Sequence, residues 1–377
     1  MRTMTRAVIA AAAAATLVGF GAGAANAAPP TVQTGRPSVG TVFVQTDAVA
    51  GNSIVSYDRL ADGSLRQAGV YPTGGLGVSL AGAVVDRLAS QSSLVRSGPS
   101  LFAVNGGSNT ITSFLVVGDR LVRHQVIGSD GQAPVSLAAH DNRVFVLNAR
   151  AGGSIQGYVN LLGHLVKIPA WHRELGLDPT AVPEFTHTPA QIAFTPDGSK
   201  LVVTTKANTS AFDVFSWRRG GLSAQPVVTA VPGAVPFGFQ FDPAGHLIAS
   251  EAGTNSIASF TVNPNGTVTQ IAAVATGQAA TCWTVVTGGY AFVSNAGSAT
   301  LSGYRIGPGG SLTAVSVTPT DAGTVDAAVS ADGRFLYVQT GAAGLVDEFA
   351  INSDGTLTRI GSVSVPNAVG GEGIVAQ

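Results

Sequence analysis

Along most of the chain, apolar and polar residues alternate in short runs broken by small-residue turns, and one phrase returns seven times. An apolar strand leads into a turn, a second strand ends on Tyr or Phe, and a glycine turn then delivers Leu or Val. The aromatics that close these second strands are Tyr57, Phe114, Tyr158, Phe215, Phe260, Tyr304 and Phe349, spaced 57, 44, 57, 45, 44 and 45 residues apart. Turns such as Asp62-Gly63-Ser64-Leu65, Asn265-Gly266-Thr267-Val268 and Asp354-Gly355-Thr356-Leu357 follow them directly. A period in the forties with several strands per unit marks a propeller blade, because one small sheet cannot cover its own faces and must stack on its neighbours. The pattern therefore predicts an all-β chain, a seven-bladed β-propeller of four-stranded blades spanning residues 41–377.

The unit over residues 189–229 is the clearest. Pro189–Phe194 reads as an inner strand ended by Thr195-Pro196-Asp197-Gly198, followed by strands at 200–205, 211–217 and 222–229. Inner strands recur at 236–241, 282–286, 325–329 and 135–139, with a fainter one at 78–85. The chain ends on Gly373-Ile374-Val375-Ala376-Gln377, again like an inner strand, whereas Thr41-Val42-Phe43-Val44 starts on a second strand with no inner strand before it. The expectation is that the C-terminal strand completes the N-terminal blade and closes the ring. Both 57-residue intervals hold insertions. Residues 86–98 read as a polar surface loop. Residues 170–188 concentrate Trp171, His172, Arg173, Glu174 and His187 in a connection expected to rim the channel mouth.

The N-terminus adds a destination. A basic start (Met1 to Arg6), an apolar run to Phe20 and small residues in Ala25-Asn26-Ala27 predict a signal peptide over 1–27, a linker over 28–40 and a secreted, extracellular protein. Without Arg2 and Arg6, 18 basic face 21 acidic side chains, and no basic block exists to neutralise phosphates or meet an anionic membrane. Nucleic-acid and membrane partners are therefore not expected. Charged residues make up only 11% of the chain, in keeping with strands buried between blades. Cys282 is the sole cysteine, so no internal disulfide exists and a monomer stabilised by core burial and ring closure is expected.

Asn105-Gly106, Asn148-Ala149, Glu251-Ala252 and Asn295-Ala296-Gly297-Ser298, with Phe-x-Pro-Asp-Gly and Asp-Gly-x-Leu turns, resemble the seven-bladed lactonase propellers. That family includes the 6-phosphogluconolactonases and carboxymuconate cyclase-like enzymes. The resemblance implies a site at the channel mouth, built from a His and an Arg ahead of successive inner strands and a Glu ending a second strand. Here the His position falls on Ala190, with His187 three residues upstream, and the Arg position on Phe237. Glu251 matches the Glu. A Phe cannot grip a carboxylate or phosphate as a guanidinium fork does, which argues against a phosphorylated sugar lactone.

Connections into inner strands and second-to-third-strand turns share one face of such a fold. His187 and Glu251 are accordingly read as an acid–base pair, with Gln191, Phe237, Cys282, Asp326, Asn105, Asn148, Asn295 and Lys206 as substrate-binding groups. No cofactor is expected. An axial calcium ion held by Asn105, Asn148, Asn295, Glu251 and Asp326 is the metal alternative. Trp171, Trp283 and Phe237 are candidates for the floor of an apolar site. Two functions follow. One is a lactone hydrolase or cycloisomerase working at the mouth. The other is a non-catalytic propeller that binds a small ligand or a protein partner there.

Overall fold

A computed structural model describes residues 37–377; the segment read as a signal peptide lies outside the described residues. Seven sheets of four principal strands follow one another along the chain. Their inner strands are Ile374–Ala376, Leu94–Ser97, Pro134–His140, Pro189–Phe194, Pro236–Phe241, Thr281–Thr287 and Thr324–Val329. Each packs on the next in that order, and the last returns to the first, so the inner strands form a closed ring around an axis. The protein is a seven-bladed β-propeller.

Closure occurs as the pattern predicts. Ile374–Ala376 pairs antiparallel with Gly40–Gln45, in the register Val42↔Ala376, Phe43↔Val375 and Val44↔Ile374. The blade is completed by Ser53–Arg59 and Leu65–Pro72, so it is assembled from both ends of the described chain. All seven phrase-closing aromatics are buried, each 2% exposed or less. They lie on the third strand of their blades, where alternation turns them into the sheet-to-sheet interface. Tyr57 and Tyr158 also donate their hydroxyls across it, to the carbonyls of Ser364 and Gly128. These buried rings replace the disulfides that the chain lacks.

Four expectations need correction. Residues 78–85 do not form an inner strand: the extended run breaks at Gly82 (φ +86°), and Leu94–Ser97 takes the inner position of that blade. Residues 86–98 are not a plain surface loop, since Asp86, Leu88, Ser90, Gln91 and Ser93 are all buried. The outer strand at 222–229 is split into Gly221–Leu222 and Val227–Ala230, both paired with Ala211–Arg218. Pro226 sits in the gap and has no N–H to offer a ladder. Finally, residues 170–188 do not rim the mouth as one loop. Arg173–Glu174 pairs with Ser154–Ile155 on its own blade. Trp171 packs on Phe145 and Trp217, and only the helical turn Glu184–His187 reaches the mouth.

Candidate functional site: a plugged channel beside an apolar pocket

The first insertion fills the head of the channel. Residues 86–93 have no sheet of their own, so their polar groups are satisfied by the inner strands around them. The Ser90 hydroxyl donates to the Val135 carbonyl, and the Gln91 amide N–H donates to the Ala190 carbonyl. The Gln91 side chain acts as a strand surrogate: its Nε2 donates to the Thr284 carbonyl at 2.7 Å, and its Oε1 accepts the Thr284 N–H at 3.0 Å. Trp283 Nε1 donates to the Ser90 carbonyl at 2.6 Å. One short segment thus bonds to the inner strands of blades three and four and, across the channel, of blade six. Gly238 makes room for it, because a Cβ there would lie 1.8 Å from Gln91 Oε1. Replacing Gln91 by Ala strands the Thr284 N–H and carbonyl in a dry interior. Urea unfolding is expected to show a loss of roughly 2–4 kcal/mol, and a loss below about 0.5 kcal/mol would contradict the clamp.

At the mouth the second insertion meets the segment that leads into the first. Phe185 N–H donates to the Ala81 carbonyl, Glu184 Oε2 accepts the Ala81 N–H, and Glu184 Oε1 pairs with Arg150 Nε at 2.6 Å. Between this junction and blades five and six (inner strands Pro236–Phe241 and Thr281–Thr287) opens a cavity of about 320 Å³. Phe237, Cys282 and Trp283 supply its blade-side wall, and Val85, Asp86 and Ala89 its plug side; Phe185 closes the lip. The Phe237 and Trp283 rings meet edge to face at 5.1 Å. Cys282 is half-buried, and burial pushes its thiol up to about 12, so it is an inert wall group rather than a thiolate nucleophile.

Below the pocket lies an acidic knot. Glu372 accepts the Ser93 N–H, its own N–H donates to Asp47 Oδ2, and its carboxyl shares a hydrogen bond with Asp326. Asp86 accepts the N–H groups of Leu88 and Ser90, which shapes the plug. Burial raises Asp47 and Asp326 to about 7 and Asp86 to about 6. It drives Glu372 well above the usual carboxyl range, reinforced by the neighbouring Asp326, Asp86 and Asp47. Lys206, also buried, is lowered to about 7 for the same primary reason.

Of the residues singled out from sequence, Phe237 and Cys282 line the pocket, and Trp283 joins them. Gln191 clamps the next inner strand through both backbone groups of Phe239, as Gln91 clamps Thr284. Asn105, Asn148 and Asn295 are fully buried, and their amide nitrogens donate to Thr112, Ser154 and Ser302 on their own blades, while Asn105 Oδ1 also accepts from Asn52 of the neighbouring blade. Glu251 accepts a hydrogen bond from Ser256 at 2.8 Å on its own blade. His187 Nδ1 lies 2.9 Å from the Pro183 carbonyl and lines a separate small cleft with Arg150 and Glu184. Among the described residues, no cluster of three His, Cys, Asp or Glu is arranged to hold a metal ion. Asp86, Ala89 and Phe185 were missed as site residues. Their only signal was the two long intervals that contain them.

This architecture is that of a seven-bladed β-propeller with a plugged channel. No protein-family model matches the chain, and no curated protein sequence matches it. Among solved structures it is similar to the periplasmic gluconolactonase of Pseudomonas aeruginosa, at 18% identity over 89% of this chain and 98% of that one, with a TM-score of 0.70. It is similar also to a proposed 6-phosphogluconolactonase from Bacteroides fragilis (18% identity, 90% and 99% coverage, TM-score 0.69). A Lactobacillus plantarum protein gives 18% identity, 90% and 99% coverage and a TM-score of 0.72. At such identities the likeness establishes the fold.

Proposed function

We propose that this propeller is a secreted binding protein that takes a small, weakly polar ligand of the lactone class into the Phe237–Trp283 pocket. The observation that carries this reading is the pocket wall. Aromatic rings, aliphatic side chains and the protonated Cys282 thiol make up most of it, and Phe237 stands where the resemblance places an Arg. A phosphate or carboxylate entering here would lose its hydration without gaining a guanidinium. Lactone-acting structural neighbours support the ligand class, and the basic, then apolar N-terminus supports export. An acid–base pair must hold one water between its members. His187 and Glu251 instead bond to separate partners, which favours binding over hydrolysis.

The test is a titration of the mature protein with an apolar γ-lactone, followed by Trp fluorescence, beside a phosphogluconolactone and an EDTA-treated sample. The apolar lactone is expected to give a saturable response, unchanged by EDTA and by Glu251→Ala. Ala296→Leu, which fills the pocket, is expected to weaken it by roughly tenfold or more. Turnover of the lactone that is lost in Glu251→Ala would replace the binding reading with a hydrolase.

A further inference from the structure

The chain contains three lysines. Lys167 is exposed and Lys200 half-buried, but Lys206, which follows the strand Lys200–Thr205, is only 1% exposed. Its Nζ donates to the Ala89 carbonyl at 2.5 Å and faces the Phe237 ring 5.2 Å from the centroid. Its hydrogen-bond partner is a neutral carbonyl, while Asp86, Cys282 and Glu184 act on it only through space. Ala89, Phe237, Asp86 and Cys282 are all pocket-lining residues, so the amine lies directly behind the pocket wall. The residue that covers it is strained: Ala89 has φ +46°, a left-handed conformation that costs a non-glycine residue energy.

We propose that the Lys206 amine is a nucleophile behind this wall, which exchanges the Ala89 carbonyl for that of an apolar aldehyde in the pocket and forms an imine with it. The inference rests on the pocket being the ligand site. The nitrogen lone pair attacks the carbonyl carbon, a C–N bond forms, and the C=O π pair moves to oxygen, which receives a proton from nitrogen. Asp86, on the pocket wall, then protonates the hydroxyl so that it leaves as water. The same carboxylate takes back the remaining nitrogen proton, leaving the imine and one water. Such a step needs a neutral amine, which burial favours by bringing Lys206 to about 7, and an acid still partly protonated near neutrality, which burial favours by raising Asp86 to about 6.

The test is reductive trapping. The mature protein is incubated at pH 7 with 3-phenylpropanal and cyanoborohydride, and the three lysines are followed by peptide mass mapping. Lys206 is expected to label at least roughly tenfold faster than Lys167 or Lys200, although it is the most buried. Ala296→Leu is expected to abolish labelling of Lys206 alone, in a protein that keeps Lys206. Labelling that follows exposure, with Lys206 untouched while the aldehyde still perturbs Trp fluorescence, would overturn the nucleophile and leave the pocket standing. Absence of any fluorescence response or Lys206 label would overturn both.

Discussion

Removal of Ile374–Gln377 is expected to leave a protein without a cooperative thermal transition at 25 °C or above. The lost segment supplies the inner strand of the first blade. With it go the pairings to Val42, Phe43 and Val44, the Gln377 N–H bond to the Thr41 carbonyl, and the bond from Arg59 Nε to the Gln377 carbonyl. Buried Ile374 is lost as well, and the edge of Gly40–Gln45 is opened to water. Several ladder hydrogen bonds at about 1 kcal/mol each, with an apolar side chain at roughly 2 kcal/mol, amount to most of the 5–15 kcal/mol that stabilises a typical domain. The exposed strand, Val42-Phe43-Val44, is also a template for edge-to-edge association. Circular dichroism melting and size-exclusion chromatography of the truncated chain check this. A truncated monomer that melts within a few degrees of the full chain would show that closure is not what holds the ring.

The second large effect is a fall in stability as pH rises from about 4 to about 7. Asp47 and Asp326 keep their protons to about 7 in the folded protein, with burial the principal cause, and Glu372 titrates well above the usual range. The unfolded chain releases the same protons near pH 4, so across this window the folded state binds more of them. The contribution of these groups is complete below the unfolded values and is lost as pH climbs through the folded ones. Around Asp326 the charges that matter are Glu372 and Asp86, and around Asp47 they are Asp86 and Arg87. Lys206 is shifted the other way, and its penalty is relieved only from about 7 upward, so it does not mask the acidic window.

A shift of about three pH units in one carboxyl corresponds to roughly 4 kcal/mol. Asp326→Asn, which keeps the acceptor for the Ala327 N–H, is expected to stabilise the protein by roughly 1–3 kcal/mol at pH 7.5 and by little at pH 4.5. Urea midpoints across pH 4–8 for the two proteins measure this directly. A flat profile for the natural chain, or an equal gain for the variant at both pH values, would refute the account.

Strand alternation and the regular return of Tyr or Phe were enough to read seven blades and the closing strand, because blade packing is local and repeats every time the phrase does. Phe237, Cys282 and Trp283 were legible as mouth residues for the same reason: each sits at a fixed place in a repeating unit. The plug was not. Asp86, Ser90 and Gln91 look like solvent-facing loop residues, since polarity in an aperiodic segment normally means exposure. Only the tertiary structure supplied the ring of inner-strand N–H and carbonyl groups that turns them inward. Asn105, Asn148 and Asn295 misled in the opposite sense: their spacing suggested a common axis, yet their amide nitrogens donate to Thr112, Ser154 and Ser302 of their own blades. The sequence by itself determined the repeat, the ring and its closure, which follow from side-chain period and turn chemistry. The tertiary structure alone decided that the channel is filled, that four acids and one lysine lie buried near its axis, and that the open volume stands beside an apolar wall. Those outcomes depend on groups far apart in the chain competing for the same dry space.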